Sequence, residues 1–146
     1  MNSKGIKYIM ISFSMLGLVL LSHCGETQKQ TEIPYAIVNE SINLNNFDYQ
    51  PLQFIGGFVN INAGVRGIIL YRESQNVYRA FERNCPFQPF DACADVSVDS
   101  SSGLFMVDSC CSSTFDFRGF PTGGPATQSM LEYNVTLAGN FLEIRN

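Results

Sequence analysis

Asn84-Cys85-Pro86-Phe87 and Asp108-Ser109-Cys110-Cys111-Ser112-Ser113-Thr114-Phe115 are the two most informative stretches of this chain. Each follows a short β-patterned run and each interrupts it with cysteine, proline or serine. Around them the pattern is β throughout. Pro34–Val38, Leu52–Ile55 and Phe58–Ile61 read as strands. Gly67–Tyr71 and Val77–Phe81 flank Ser74-Gln75-Asn76, a hairpin signature. Val96–Val98 and Leu104–Val107 flank the turn-forming Asp99–Gly103, a second hairpin. Leu131–Leu137, a turn at Ala138-Gly139-Asn140 and Phe141–Ile144 close the chain. No helical period is sustained after Ile33, which predicts an all-β antiparallel sandwich or barrel.

The N-terminus fixes the compartment. Lys4 and Lys7 precede a nearly unbroken apolar run, Ile9–Leu21, which is well short of the roughly 20 residues of a spanning helix. Leu21-Ser22-His23-Cys24-Gly25 then resembles a bacterial lipobox, with His23 in place of the usual small residue. The expected division is a lipoprotein signal peptide over 1–23, a lipidated Cys24 with a polar tether over 24–32, and a β domain over 33–146. Two acyl signals on one residue give stable membrane anchoring where a single chain would not. Gly25 favours an outer-membrane address facing the periplasm.

Export changes how the other cysteines are read. Cys85, Cys93, Cys110 and Cys111 form an even set in a small exported domain, the usual sign of disulfides, and four cysteines allow three pairings. Adjacent Cys110 and Cys111 would face opposite sides of a strand, which argues against one metal taking both. A vicinal Cys110–Cys111 bridge acting as a redox switch is disfavoured, because no Lys or His stands nearby to lower a thiol pKa.

Composition excludes several function classes. The formal net charge is −4, and Arg66, Arg72, Arg79 and Arg83 are interspersed with acids, so no basic stripe exists for nucleic acid. These arginines read as solvated strand faces. The single histidine, His23, falls in the segment expected to be cleaved, so no nucleophile–base pair survives for catalysis. Asp91, Asp95, Asp108 and Asp116 match no paired-carboxylate or calcium spacing and read as turn or cap residues. Phe81, Phe87, Phe90, Phe105, Phe115, Phe117 and Phe120 cluster around the loops, mainly as core filling, with exposed members available to a partner. Gly56-Gly57 and Gly123-Gly124 open no helix and are not phosphate loops.

The ordered loops resemble the Rieske iron–sulfur domain. That family carries a C-x-H box, a C-x-x-H-G-S-x-F-D box and a G-P-A loop that covers the cluster. Cys85-Pro86-Phe87 matches the first box with phenylalanine for histidine. Asp108 to Asp116 matches the second, with Asp108 for the ligand cysteine, Cys111 for the ligand histidine and Ser112 for the glycine. Gly124-Pro125-Ala126 matches the third without change. The similarity covers roughly residues 57–144, and the general pattern looks like lipid-anchored Rieske-like proteins of Bacteroidetes-type bacteria.

The resemblance implies a [2Fe–2S] cofactor and electron transfer, but a Rieske centre needs two imidazoles. At the cluster-equivalent positions Cys85, Phe87, Asp108 and Cys111 this chain has none, and a carboxylate is a hard donor poorly matched to iron–sulfur ligation. No cofactor or metal is therefore expected, apart from the lipid on Cys24. Respiratory-type relatives bridge their two cluster loops, which implies Cys93–Cys110 here and, with it, Cys85–Cys111 across the vacated site. The expected protein is a Rieske-like envelope lipoprotein, disulfide-stapled at a two-loop tip, with a structural or partner-binding role and a possible envelope protein as partner. The alternative is an electron carrier with a [2Fe–2S] cluster of altered ligation.

Overall fold

The structure is a computed structural model and describes residues 32–146. The expected signal peptide, Cys24 and the expected tether up to residue 31 lie outside the described residues. No helix among the described residues is long and apolar enough to cross a membrane.

The described chain is mostly β, with a curled antiparallel sheet forming a half-barrel. In chain order the strands are β1 (Asn39–Asn43), β2 (Phe58–Ile61), β3 (Ile68–Arg72), β4 (Tyr78–Glu82), β5 (Val96–Val98), β6 (Met106–Asp108), β7 (Thr114–Phe115), β8 (Pro121–Gly123), β9 (Glu132–Ala138) and β10 (Phe141–Arg145). A six-stranded sheet has the order β1-β10-β9-β4-β3-β2, and a four-stranded sheet the order β5-β6-β7-β8.

The run Ile68-Ile69-Leu70 explains how the sheets combine. A strand buried on one face alternates apolar and polar residues, whereas one covered on both faces is apolar throughout. Ile68, Leu70 and Ala80 point into a core with Leu52, Tyr133, Leu142 and Ile144. Ile69 and Phe81, from the same two strands, point into a second core with Cys85, Val96, Met106 and Phe115. β3 and β4 are thus the wall between two cores, and the four-stranded sheet with its cysteine loops packs on one side of that wall. Each fully buried Leu, Ile or Phe contributes about 1.5–3 kcal/mol of transfer free energy.

Two expected strands are corrected. Pro34–Val38 is extended but pairs with no strand, and the first ladder begins at Asn39. Pro34 has no amide proton to give a ladder. The C-terminal Asn146 holds the segment instead, accepting from Val38 N–H at 2.7 Å and donating to Ala36 O at 3.0 Å. Leu52–Ile55 is not a strand either. A 3-10 helix, Phe47–Gln53, takes in its first two residues, and is started by Asn46, whose side chain accepts from Asp48 N–H. Pro51 disfavours a central strand here. Leu52 of that helix is buried in the core and Tyr49 packs against it half-buried, while Phe54 and Ile55 stay exposed.

The arginines are not simply solvated. Arg72 donates to the carbonyls of Leu52 and Gln53 at the end of the 3-10 helix and to those of Ser74 and Gln75 in the hairpin turn. Arg66 donates to Asn84 Oδ1 and to the carbonyls of Ala92 and Asp91, and Arg83 to Val96 O and Asp95. Guanidinium groups with five fixed donors suit this cross-linking of loop carbonyls.

Beneath the first cysteine loop, Tyr133 donates to the buried Glu82 carboxylate at 2.8 Å. Burial, followed by that hydrogen bond and the charge on Glu82, raises the Tyr133 phenol above its ordinary value of 10.0. A tyrosine that stays protonated in the fold while its unfolded counterpart ionises contributes stability that is complete below pH 10 and is lost above it. Urea unfolding midpoints measured from pH 8 to 11 are expected to fall with a slope that steepens near pH 10. Tyr133→Phe should flatten that steepening; an unchanged profile would remove Tyr133 as its source.

Candidate functional site

The first cysteine loop runs from β4 of the six-stranded sheet to β5 of the four-stranded sheet, the second joins β6 to β7, and the two meet. The first, residues 84–95, is closed at its base by the Asn84–Asp95 bridge and by Cys85 N–H donating to Ala94 O at 3.2 Å. Arg66 clamps the middle of the loop through the Asp91 and Ala92 carbonyls. Pro86 is buried and Phe87 half-buried against the second core, while Phe90 projects into solvent.

The second loop turns between β6 and β7. Asp108 O accepts from Ser112 N–H at 2.8 Å, and Asp108 N–H donates to Ser113 O at 2.9 Å. Asp108 Oδ1 accepts from Cys110 N–H at 2.8 Å, an Asx-type turn. Ser112 takes a φ of 62°, uncommon for a residue with a side chain. The turn sends Cys110 outward and folds Cys111 back over Asp108.

Cys93 and Cys110 are joined, with sulfurs 2.00 Å and Cα atoms 5.6 Å apart. The bridge ties the two loops across a sequence separation of 17. In the chain-entropy picture a loop of that size is worth about 3 kcal/mol. The double variant Cys93→Ser/Cys110→Ser is therefore expected to melt roughly 12 °C lower, read by circular dichroism. A shift under a few degrees would assign the bridge little of the stability.

The expected Cys85–Cys111 bridge is not formed. Both thiols are free, and their sulfurs stand 4.0 Å apart. Cys111 Sγ is instead engaged by Asp108 Oδ2 at 3.3 Å and Ser113 Oγ at 3.0 Å. These polar partners compete with the approach that a sulfur–sulfur bond requires. Burial, then the hydrogen bond with Asp108, pushes the Cys85 thiol well above its ordinary 9.0. The Phe87 backbone works in the opposite direction, by hydrogen bonding to the same sulfur.

Cys85, Asp108 and Cys111 thus bring three donor atoms within 4.8 Å of one another. Cys85 and Asp108 are fully buried and Cys111 is half-exposed. These are three of the four cluster-equivalent positions that the resemblance named, and the fold-back at Ser112 brings Cys111 to Asp108. Of the four cluster-equivalent positions, Phe87 contributes only a ring against the core.

The third loop closes over the second. It follows directly on strand β8, which pairs with β7. Gly124 has a φ of 80°, and a Cβ there would lie 2.5 Å from Ser112 O and 2.5 Å from Ser113 Cα. Gly124 and Pro125 are exposed, while Ala126 is buried and its N–H donates to Ser113 Oγ at 3.0 Å. Ser113, which the sequence reading did not single out, therefore links the covering loop to Cys111. Its only sequence signal is its place in the second box.

The residues present do not fit a [2Fe–2S] centre. Two thiols and one carboxylate converge where four soft or imidazole donors are needed, and the chain's only histidine lies outside the described residues. Comparison with family models, curated proteins and solved structures finds no match.

Proposed function

We propose that this chain is an envelope-anchored, Rieske-like lipoprotein that acts as a structural or partner-binding domain and carries out no catalysis or electron transfer of its own. The observation that carries this reading is the donor set at the meeting of the two loops. A ring from Phe87 and a carboxylate from Asp108 stand at positions where the resembling family holds iron. Support also comes from the way the loops are fixed. The Cys93–Cys110 bridge, the Arg66 clamp and the Ala126–Ser113 bond hold both loops in place without any cluster. Rigid loops on a β scaffold are a common place for recognition surfaces. Phe90 and Phe120, 67% and 54% exposed, supply apolar surface near the loops.

The experiment is fractionation followed by spectroscopy. The full chain should sediment with bacterial membranes, and Cys24→Ala should release it. The chain extracted in detergent should be colourless and free of iron. Stoichiometric iron with visible absorption would overturn the reading in favour of an electron carrier with altered cluster ligation. A Cys24→Ala chain that remains in the membrane fraction would remove the lipid anchor.

A further inference from the structure

We propose that Cys85, Cys111 and Asp108 form a binding site for a single zinc ion. The three donors come from two loops and already lie within 4.8 Å of one another. Two sulfurs 4.0 Å apart, each about 2.3 Å from one zinc, subtend an angle of roughly 120° at the metal, within reach of tetrahedral geometry after a small adjustment.

The carboxylate is arranged to take part. Asp108 Oδ1 is occupied by the Cys110 amide, which leaves Oδ2 turned toward the sulfurs, 3.3 Å from Cys111 Sγ. A ligand carboxylate fixed through its second oxygen is the usual way that outer contacts orient a metal site. Asp108 is fully buried and forms no ion pair with a cation among the described residues. A buried carboxylate normally has a charged partner, a metal or a dense set of donors. Here its other close neighbours are thiols.

The sulfurs have supporting contacts as well. Ser113 Oγ lies 3.0 Å from Cys111 Sγ, and the Phe87 backbone hydrogen-bonds Cys85 Sγ. The Cys93–Cys110 bridge fixes the residue next to Cys111, so the cradle is held by a covalent bond that does not consume a ligand.

The donor chemistry selects the ion. Two thiolates exclude calcium and magnesium, which take oxygen ligands. A carboxylate beside them suits a borderline ion such as zinc better than copper(I), which favours sulfur and thioether sets. A metal takes cysteine sulfur as thiolate, so both Cys85 and Cys111 would ligate in that form. Three protein ligands leave a fourth position, on the side where Cys111 reaches solvent.

The test uses the full chain in detergent, purified anaerobically and freed of metal. Zinc is titrated against a chromophoric chelator, and cobalt(II) serves as the spectroscopic probe. The expected result is one equivalent of metal, with sulfur-to-cobalt charge-transfer absorption in the near ultraviolet. Cys85→Ser and Cys111→Ser should each abolish that absorption, and Asp108→Asn should weaken zinc binding at least tenfold. Zinc should also protect both thiols of the unmodified chain from alkylation, a readout that holds even where a variant fails to fold. Zinc binding unaffected by both serine variants overturns the proposal, as does the lack of both binding and protection in a chain with two titratable thiols. A Cys85–Cys111 disulfide in the anaerobically purified chain overturns it as well. Any of these outcomes leaves the non-catalytic reading standing, since that reading depends on iron and membrane anchoring.

Discussion

Glu82→Ala is expected to cost about 3–5 kcal/mol of folding stability, because each buried donor left without a partner costs about 1–3 kcal/mol. Glu82 is completely buried, and four neutral donors satisfy its carboxylate. Val65 N–H and the Tyr133 hydroxyl reach Oε2 at 2.8 Å each, and Arg66 N–H and Asn84 N–H reach Oε1 at 2.9 Å each. Alanine would remove the partner of all four donors, two of them, Asn84 N–H and the Tyr133 hydroxyl, in buried positions. Gly64 belongs to the same arrangement, because its φ of 74° lets the turn approach so closely that a Cβ there would sit 2.3 Å from Oε2. Glu82→Gln separates charge from hydrogen bonding. The amide keeps one acceptor, and the Tyr133 hydroxyl can rotate to accept from the new NH₂ group. At least one backbone N–H then loses its partner, at a cost of about 1–3 kcal/mol. Urea denaturation would measure both values. A glutamine variant as destabilised as alanine would mean that the charge itself is what the turn requires. An alanine variant within 1 kcal/mol of the native chain would sink the account. The effect should extend to the loops, because the Asn84 N–H held by Glu82 begins the first cysteine loop.

Gly124→Val should be the most damaging single change in the covering loop, at roughly 2–4 kcal/mol. Its φ of 80° is a conformation that β-branched residues avoid, and the Cβ would meet backbone atoms of Ser112 and Ser113 at 2.5 Å. Backbone cannot swing aside as a side chain can, so the covering loop must move. The Ala126–Ser113 bond would break with it, loosening Ser113 from Cys111. The measurement is the rate of maleimide labelling at Cys85 and Cys111 together with the unfolding midpoint. Faster labelling at both thiols and a lower midpoint are expected. Labelling at the native rate would show that the loop does not shield the thiols. Gly103, whose Cβ would meet nothing within 4 Å, is the comparison site, with a φ of 67° but open space around it.

The sequence made the β architecture legible wherever hydrophobic patterning and turn chemistry coincided. Phe58–Ile61 is a strand as read, and the Ser74–Asn76 turn joins β3 to β4. It misled where apolar residues serve another purpose. Leu52 is apolar because it anchors a 3-10 helix, and Phe54 and Ile55 are apolar yet exposed. Nothing in the pattern of Asn39–Asn43 announces a strand, since only Ile42 is buried and the ladder with β10 supplies the rest. Glu82 was invisible for a related reason: a lone glutamate at the end of a strand carries no sign of four donors arriving from three other places in the chain.

By itself the sequence determined that this is a chain of short strands and turns, with four cysteines in the loops and no histidine beyond His23. Those features depend on residue type and near neighbours, which a linear reading captures. The resemblance implied how the cysteines pair, and it took the fold to show that Cys85 and Cys111 remain unbonded. Cys110 and Cys111 are adjacent, yet one is bonded to Cys93 and the other faces Cys85 and Asp108 as a free thiol. That division rests on the positive φ at Ser112 and on the reach of Asp108 and Ser113, angles and distances of a few ångströms that no spacing along the chain encodes.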